Sequence, residues 1–384
     1  MKRQLATDNW QLATAMTDAD YMARALALAE RGRGRTSPNP MVGAVVVDAE
    51  GVVVGRGSHE FAGGPHAEVH ALNDAGERAR GATLYCTLEP CCHTGRTGPC
   101  APRVVDAGIR RAVVAVEDPN PLVAGQGIAH LRARGIEVTL GVRGEESAAL
   151  NRPFFTVMRW RRPFVTAKVA LSLDACVAAG AGIRTPLTGE LANRRVHRER
   201  AEVDAIAVGS GTVLADDPQL TARGVYRIRP LVRVIFDGRL RTPPHARVLS
   251  TLEAGPVIIV TSASAVASQP SRAERLRDAG ARLQVHDESS GSRPSIATAL
   301  DRLALDGITS IVLEGGPCVH RAAWDEGVVD RIQIFVTSRS VGASGLPWMP
   351  YDAFKLSDLA DLRVEPVGND VLIEGLTAKP CSPA

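Results

Sequence analysis

Residues 66–100 read HAEVHALNDAGERARGATLYCTLEPCCHTGRTGPC, and this stretch decides the first half of the fold. His66 to Ala79 has the spacing of a helix, Thr83 to Leu88 reads as a strand, and Cys100 opens a helix that runs to about Ala107. His66 therefore sits at one helix start, Cys91 just beyond the strand, and Cys100 at the next helix start. One imidazole and two thiolates form a three-ligand zinc set that leaves the fourth tetrahedral position open to water. Zinc lowers the pKa of such a water towards ~7. Glu68, two residues beyond His66, can take a proton from water and return it to a leaving nitrogen.

His-x-Glu followed by Pro-Cys-x-x-Cys is the general signature of zinc deaminases. Here eight residues, Cys92 to Pro99, separate the two thiolates. That insertion carries His93, Thr94 and Arg96, which suit a polar or phosphorylated substrate. Two other readings of the residues stay open. Cys92 or His93 could complete a four-ligand structural zinc site. His66 and His70 also share a helix face as in zinc proteases, although the glutamate then stands one place late. Cys86 reads as core within its strand, and Cys92 as a bystander.

Upstream, Asp18 to Arg31 predicts a helix capped by Thr17 and ended by Gly32 and Gly34. Thr36-Ser37-Pro38-Asn39-Pro40 is a rigid loop, and Gly43–Val47 with Val52–Gly55 predicts a hairpin. Downstream come a strand (Ala112–Val116), a helix (Gly127–Arg134) and a strand (Ile136–Leu140). The alternation argues for an α/β layer with a largely parallel sheet. Arg152 to Arg162, with four arginines, reads as a solvated linker. A second α/β pattern follows. Its strands are expected at Phe164–Ala170, Val203–Val208, Leu231–Phe236, Val257–Thr261, Arg282–Val285, Thr309–Leu313, Arg331–Val336 and Val371–Ile373, with helices at Leu191–Glu202 and Ser271–Ala279.

The 384 residues carry 45 Lys+Arg against 42 Asp+Glu, a net charge of +3 that gives no field to hold nucleic acid or a membrane surface. With 4% aromatics the chain lacks a stacking groove for bases, and no apolar run is long enough to span a membrane. Seven cysteines, four of them close together, point to a metal in a cytoplasmic protein rather than to disulfides.

Pro38-Asn39-Pro40-Met41-Val42-Gly43, His66 to Ala71, Thr87-Leu88-Glu89-Pro90-Cys91, Gly95 to Cys100 and Asp118-Pro119-Asn120-Pro121 together resemble the bifunctional riboflavin-biosynthesis deaminase/reductase family. The resemblance covers nearly the whole chain from about Asp18. It implies a cytidine-deaminase-like three-layer domain over residues 17–150 and a dihydrofolate-reductase-like domain over residues 163–377. It further implies zinc on His66, Cys91 and Cys100, Glu68 as proton carrier, and Asn39, His59, His93, Arg96, Asp118 and Asn120 around a phosphoribosylamino-pyrimidine. The expected partner is that small phosphorylated pyrimidine, with no nucleic acid or membrane, in a homo-oligomer (dimer or tetramer).

The second half carries its own motifs. Gly209 to Arg223, with Arg200-Ala201, Asp204-Ala205-Ile206 and Leu313-Glu314-Gly315-Gly316-Pro317, resembles the family's NADPH-dependent reductase, which turns the ribosyl group into ribityl. Gly209-x-Gly211 is not a Rossmann fingerprint, because the third glycine is absent and no helix clearly follows. Gly316-Pro317 should open a helix suited to a pyrophosphate. The resemblance implies that Lys168, Arg200, Leu220 and Arg223 contact substrate, that Glu314 lies by the ribose, and that Ala170, Thr212, Asp216 and Gly316 contact NADPH. The chain departs from the family at Ala175-Cys176 (usually Gly and a basic residue), at Arg184-Thr185-Pro186 (Ser-x-Trp) and at Thr337-Ser338 (Ala-Pro). Two rivals follow: a second domain that binds phosphorylated pyrimidine without reducing it, and a deaminase of another free base or of nucleic acid.

Overall fold

The computed structural model describes residues 16–92, 98–287, 294–350 and 353–377. It divides into two compact units: residues up to Gly32 with Met41–Leu150, and Arg33–Pro40 with Asn151 onward.

In the first unit α1 (Asp18–Ala29) opens on a capping box. Asp20 N–H donates to Thr17 Oγ1 at 3.3 Å, and Thr17 N–H donates to Asp20 Oδ2 at 2.9 Å. The chain continues through β1 (Gly43–Val47), β2 (Val53–Ser58), α2 (Ala67–Ala75), β3 (Thr83–Cys86), α3 (Cys100–Asp106), β4 (Arg111–Val114), α4 (Gln126–Ala133), β5 (Glu137–Leu140) and α5 (Gly144–Leu150). The sheet order is β2-β1-β3-β4-β5. It is mixed rather than largely parallel: β1 runs antiparallel to both β2 and β3, and only β3–β4 and β4–β5 are parallel. The tight turn after β1 forces an antiparallel pair, whereas the helical crossovers through α3 and α4 permit parallel ones.

Register gives the layers. Ala44 stands opposite Gly57 and Gly43 opposite Ser58, so Gly43 and Gly57 point to opposite faces. A Cβ on Gly43 would fall 2.0 Å from Ala25 O of α1, and one on Gly57 would fall 2.0 Å from Ala67 O of α2. Each glycine lets a helix lie directly on the sheet. α1 thus covers one face, packing Met22, Ala25 and Leu26 on Val45, Val47, Tyr85 and Val113. α2 covers the other, and the unit has three layers.

The second unit begins with a correction. Arg152–Arg162 is no solvated linker: Arg152–Trp160 forms α6, with Phe154, Phe155 and Thr156 buried. Pro153 lies in the first turn, where its missing N–H removes no helix bond. The Arg159 guanidinium lies 5.2 Å from the Phe155 ring centroid, so the charges edge an apolar face.

The elements that follow are β6 (Phe164–Leu171), β7 (Cys176–Ala178), α7 (Glu190–Glu202), β8 (Ala205–Gly209), α8 (Ser210–Asp216), β9 (Val232–Phe236), β10 (Val257–Ser262), α9 (Ala263–Ser268), α10 (Pro270–Asp278) and β11 (Ala281–His286). α11 (Ile296–Leu305), β12 (Ser310–Leu313), α12 (Pro317–Asp325), β13 (Arg331–Val336), β14 (Leu346–Pro347), β15 (Leu359–Val367) and β16 (Asp370–Thr377) complete it. The large sheet has the order β11-β10-β9-β8-β12-β6-β13-β16-β15, parallel as far as β13 and antiparallel through β16 and β15. β8 and β10 are buried at every residue, as strands covered on both faces must be. A helix does follow Gly209, contrary to the sequence expectation, since Ser210 begins α8. Among the described residues β7 pairs only with β14.

Ala175 takes φ 59°, a left-handed conformation that costs a residue bearing a Cβ about 1–2 kcal/mol. The turn is held regardless. Ser172 Oγ accepts Cys176 N–H at 3.0 Å, and Asp174 Oδ2 accepts Gly342 N–H at 2.8 Å. Ala175→Gly is therefore expected to stabilise the second unit by up to about 1 kcal/mol, read as a higher urea midpoint with unchanged slope. A lower midpoint would show that this backbone is unstrained.

Candidate active sites

The end of each element places one metal donor in the first unit. His66 is the N-cap residue of α2, Cys91 follows β3, and Cys100 is the first residue of α3. Their ligand atoms all lie within 4.8 Å of one another. His66 Nδ1 stands 3.2 Å from Cys100 Sγ and 3.5 Å from Cys91 Sγ. A tetrahedral zinc with ordinary Zn–N and Zn–S bonds holds such donors about 3.5 Å apart, so the set fits the ion. Cys100 N–H donates to Cys91 Sγ at 3.4 Å, a backbone bond that favours thiolate. Hydrogen bonding from Cys100 and His66 holds Cys91 at about 4, while the Cys91 thiolate and burial push Cys100 up.

Neither Cys92 nor His70 joins the donor group. Cys92 lies outside the donor group, with its thiol directed at Gln126 Oε1 3.8 Å away. His70 is also outside it, its Cβ packed over Gly57. Cys86 is fully buried in β3, as core. His93 and Arg96 lie outside the described residues.

Glu68 is 3% exposed in the first turn of α2, and burial pushes its carboxyl up to about 7. His59 is buried, with Nδ1 3.0 Å from Pro65 O and its ring edge-on to His66 at 5.4 Å between centroids; burial lowers its pKa. Asp118 is buried and raised to about 6, chiefly by that burial. Asp118 Oδ1 accepts Asn120 N–H at 2.8 Å, and Asn120 Oδ1 accepts Leu122 N–H at 3.1 Å, so both also shape their loop. Asn39 groups with the second unit, where its N–H donates to Thr36 O at 2.9 Å.

In the second unit Glu314, just past β12, is gripped by two cations. Arg200 Nε and Nη2 donate to its two oxygens at 2.7 and 2.8 Å, and Lys168 Nζ lies 3.7 Å from Oε2. Burial alone would raise Glu314, but Arg200 and Lys168 outweigh it and hold the carboxyl at about 2. Arg200 Nη1 also donates to Thr221 O at 3.0 Å, so its fork is largely engaged within the protein. The exposed Arg223 is the freer cation for a phosphate; its N–H donates to His197 Nδ1 at 3.2 Å. Sequence reasoning missed His197, although it stands three residues before Arg200 on one face of α7.

Lys168 and Ala170 share a face of β6, and Ala170 pairs with Phe335. Leu220 has its side chain in the core and φ 54°, which leaves its main chain to meet a ligand. Gly209 ends β8 beside Gly315, and a Cβ on Gly316 would sit 3.7 Å from Thr212 Oγ1. α12 opens at Pro317 as expected, with Gly316 as N-cap. Val319 of α12 fills the space beside Gly209 and Gly315, so these glycines let the start of α12 lie against the end of β8, where the unpaired N–H groups of the helix start suit a dinucleotide phosphate. Asp216 ends α8; burial raises its pKa, and the nearby Arg184 opposes that rise.

Comparison with known proteins matches a family to each half of the chain. Residues 15–116 match the cytidine and deoxycytidylate deaminase zinc-binding region, and residues 163–373 match the RibD C-terminal domain. Riboflavin biosynthesis protein RibD of Aquifex aeolicus is 42% identical over 359 residues, covering 93% of this chain and 97% of that protein. Its Escherichia coli counterpart is 37% identical over 375 residues, covering 93% and 99%. Among solved structures, Acinetobacter baumannii RibD superposes with a TM-score of 0.82 at 36% identity, covering 94% and 99%. A Thermotoga maritima diaminohydroxyphosphoribosylaminopyrimidine deaminase/5-amino-6-(5-phosphoribosylamino)uracil reductase gives 0.77 at 34%, with the same coverage.

Proposed function

This chain belongs to the bifunctional deaminase/reductase family of riboflavin biosynthesis, and from that premise we propose that residues 17–150 are its zinc-dependent deaminase and residues 163–377 its NADPH-dependent reductase. The substrate of the first is 2,5-diamino-6-(5-phosphoribosylamino)pyrimidin-4-one. The observation that carries this is the His66, Cys91 and Cys100 donor set beside a buried Glu68.

His66, Cys91 and Cys100 would hold zinc, which would supply a water acidic enough to act as a nucleophile near neutral pH. Glu68 accepts the proton as the oxygen adds to the carbon bearing the amino group. It passes that proton to the nitrogen, the C–N bond breaks, and ammonia leaves. His59, Asp118 and Asn120, with His93 and Arg96 of the Cys-to-Cys insertion, hold the pyrimidine and its phosphate.

NADPH, when bound, would supply the hydride for conversion of the ribosyl group into ribityl, with the accompanying proton coming from water. Ala170, Thr212, Asp216 and Gly316 hold the dinucleotide. Arg223 and the Leu220 main chain meet the substrate, and Lys168, Arg200 and Glu314 fix the polar wall beside the ribose. The enzyme works in the cytoplasm on a small molecule, as a homo-oligomer without nucleic acid or membrane. The six free cysteines among the described residues support a reducing compartment.

The test is to incubate zinc-loaded protein with the diamino-pyrimidine, with and without NADPH, and identify products by mass. Without NADPH the amino group is exchanged for oxygen; with NADPH the product gains two further hydrogens. Retention of the amino group would overturn the deaminase. Deamination without NADPH oxidation would leave the second unit a binding module.

A further inference from the structure

Glu89 lies between β3 and the metal donor Cys91, and it is 3% exposed. Its Oε2 accepts the backbone N–H of Asp118 at 3.1 Å and of Gly125 at 2.9 Å. Oε1 accepts that of Ile128, inside α4, at 3.0 Å. Three donors spread along residues 118–128 therefore converge on one side chain. Its own N–H donates to Val116 O at 3.0 Å, tying the end of β3 to the chain leaving β4. The same corner is closed from the helix side. A Cβ on Gly127 would fall 1.9 Å from Pro90 O and 3.2 Å from Glu89 Cγ.

Bonds of this kind need acceptors on both oxygens, which only a carboxylate offers. A glutamine keeps one acceptor oxygen and an alanine keeps none. Both oxygens are occupied by main-chain donors, so Glu89 is not built to reach a ligand. What it does reach is the loop carrying Asp118 and Asn120, at a point two residues from Cys91.

We propose that Glu89 is a positioning residue that fixes Asp118 and Asn120 against the metal-ligand segment, setting how tightly the deaminase holds its pyrimidine rather than how fast it moves the proton. This rests on the deaminase reading above. Removing the bonds loosens a loop that orients substrate, which raises KM while Glu68 and the donor set keep their places.

The experiment compares Glu89→Gln and Glu89→Ala with the parent enzyme in zinc content, deaminase kcat and KM, and amide hydrogen exchange across residues 118–128. Glutamine is expected to raise KM about tenfold and alanine about a hundredfold, with kcat held within about threefold and zinc content unchanged. Exchange at Asp118, Gly125 and Ile128 should quicken in the same order. Asp74→Ala, which removes the acceptor of the Arg56 N–H at 2.9 Å elsewhere in the unit, should leave KM unchanged and so separate positioning from general loosening.

KM within twofold of the parent in both variants would overturn the proposal, as would loss of zinc or a fall in kcat at constant KM. Should alanine fail to fold, the glutamine variant and its exchange rates decide. Should the parent enzyme fail to deaminate, the deaminase reading falls by itself. The exchange data still judge Glu89, because unaltered protection at the three amides would overturn its role.

Discussion

Glu68→Gln is expected to retain one zinc per chain and to lose ammonia release by about 10²–10⁴-fold. Glutamine has the shape of glutamate and fills the same buried place at the start of α2, so His66 beside it keeps its position. What it lacks is a site for a proton. A carboxyl pushed up to about 7 by burial can both accept and return a proton near neutral pH, whereas an amide can do neither. The loss should fall on kcat, since the interaction operates in the transition state and not in the bound substrate. Reduction of the pre-deaminated substrate with NADPH should continue at the parental rate. Elemental analysis, a coupled ammonia assay and NADPH oxidation on the same sample check all three statements. More than a tenth of parental ammonia release would remove Glu68 as the proton carrier.

The first unit was legible because its chemistry sits at element ends. The N-cap His66, the post-strand Cys91 and the helix-opening Cys100 each stand beside an unambiguous change of periodicity, and the structure brings all three together. Legibility failed where one pattern masked another. Four arginines concealed the apolar face of α6, because Phe154 and Phe155 are adjacent and show no repeat of their own. β15 has almost no buried residue and exists through its pairing with β16, so no alternation announces it. α8 is seven residues long and too short to show a period. Leu220 takes a left-handed φ and turns its side chain into the core, a conformation that leucine does not advertise in sequence. The three backbone donors on Glu89 come from a loop and the first turn of α4, 29 to 39 residues away, and no local spacing encodes such bonds.

Glu314→Gln is expected to lower the stability of the second unit by about 3–5 kcal/mol and to abolish reduction while ammonia release persists. The side chains of Glu314, Arg200 and Lys168 are 9%, 15% and 13% exposed, so the group is shielded from water. Neutralising the carboxylate leaves two buried cations facing each other without a counter-charge, which is worse than never having built the pair. Pairing Glu314→Leu with Arg200→Met should therefore recover part of the stability, though none of the activity.

Acid provides an independent check. The folded carboxyl sits at about 2 against an ordinary 4.5, so the unfolded chain takes up protons first as pH falls. The contribution of Glu314 is fully present above the unfolded value and fades as pH drops from about 4.5 towards 2. The glutamine variant has no such group to titrate, and its stability should decline less steeply across that window. Trp160, Trp324 and Trp348 lie in the second unit and Trp10 outside the described residues, so in a Trp10→Phe background urea unfolding followed by fluorescence reads the relevant half. Equal slopes for parent and variant below pH 4.5 would show that the Arg200–Glu314–Lys168 cluster contributes no net stability.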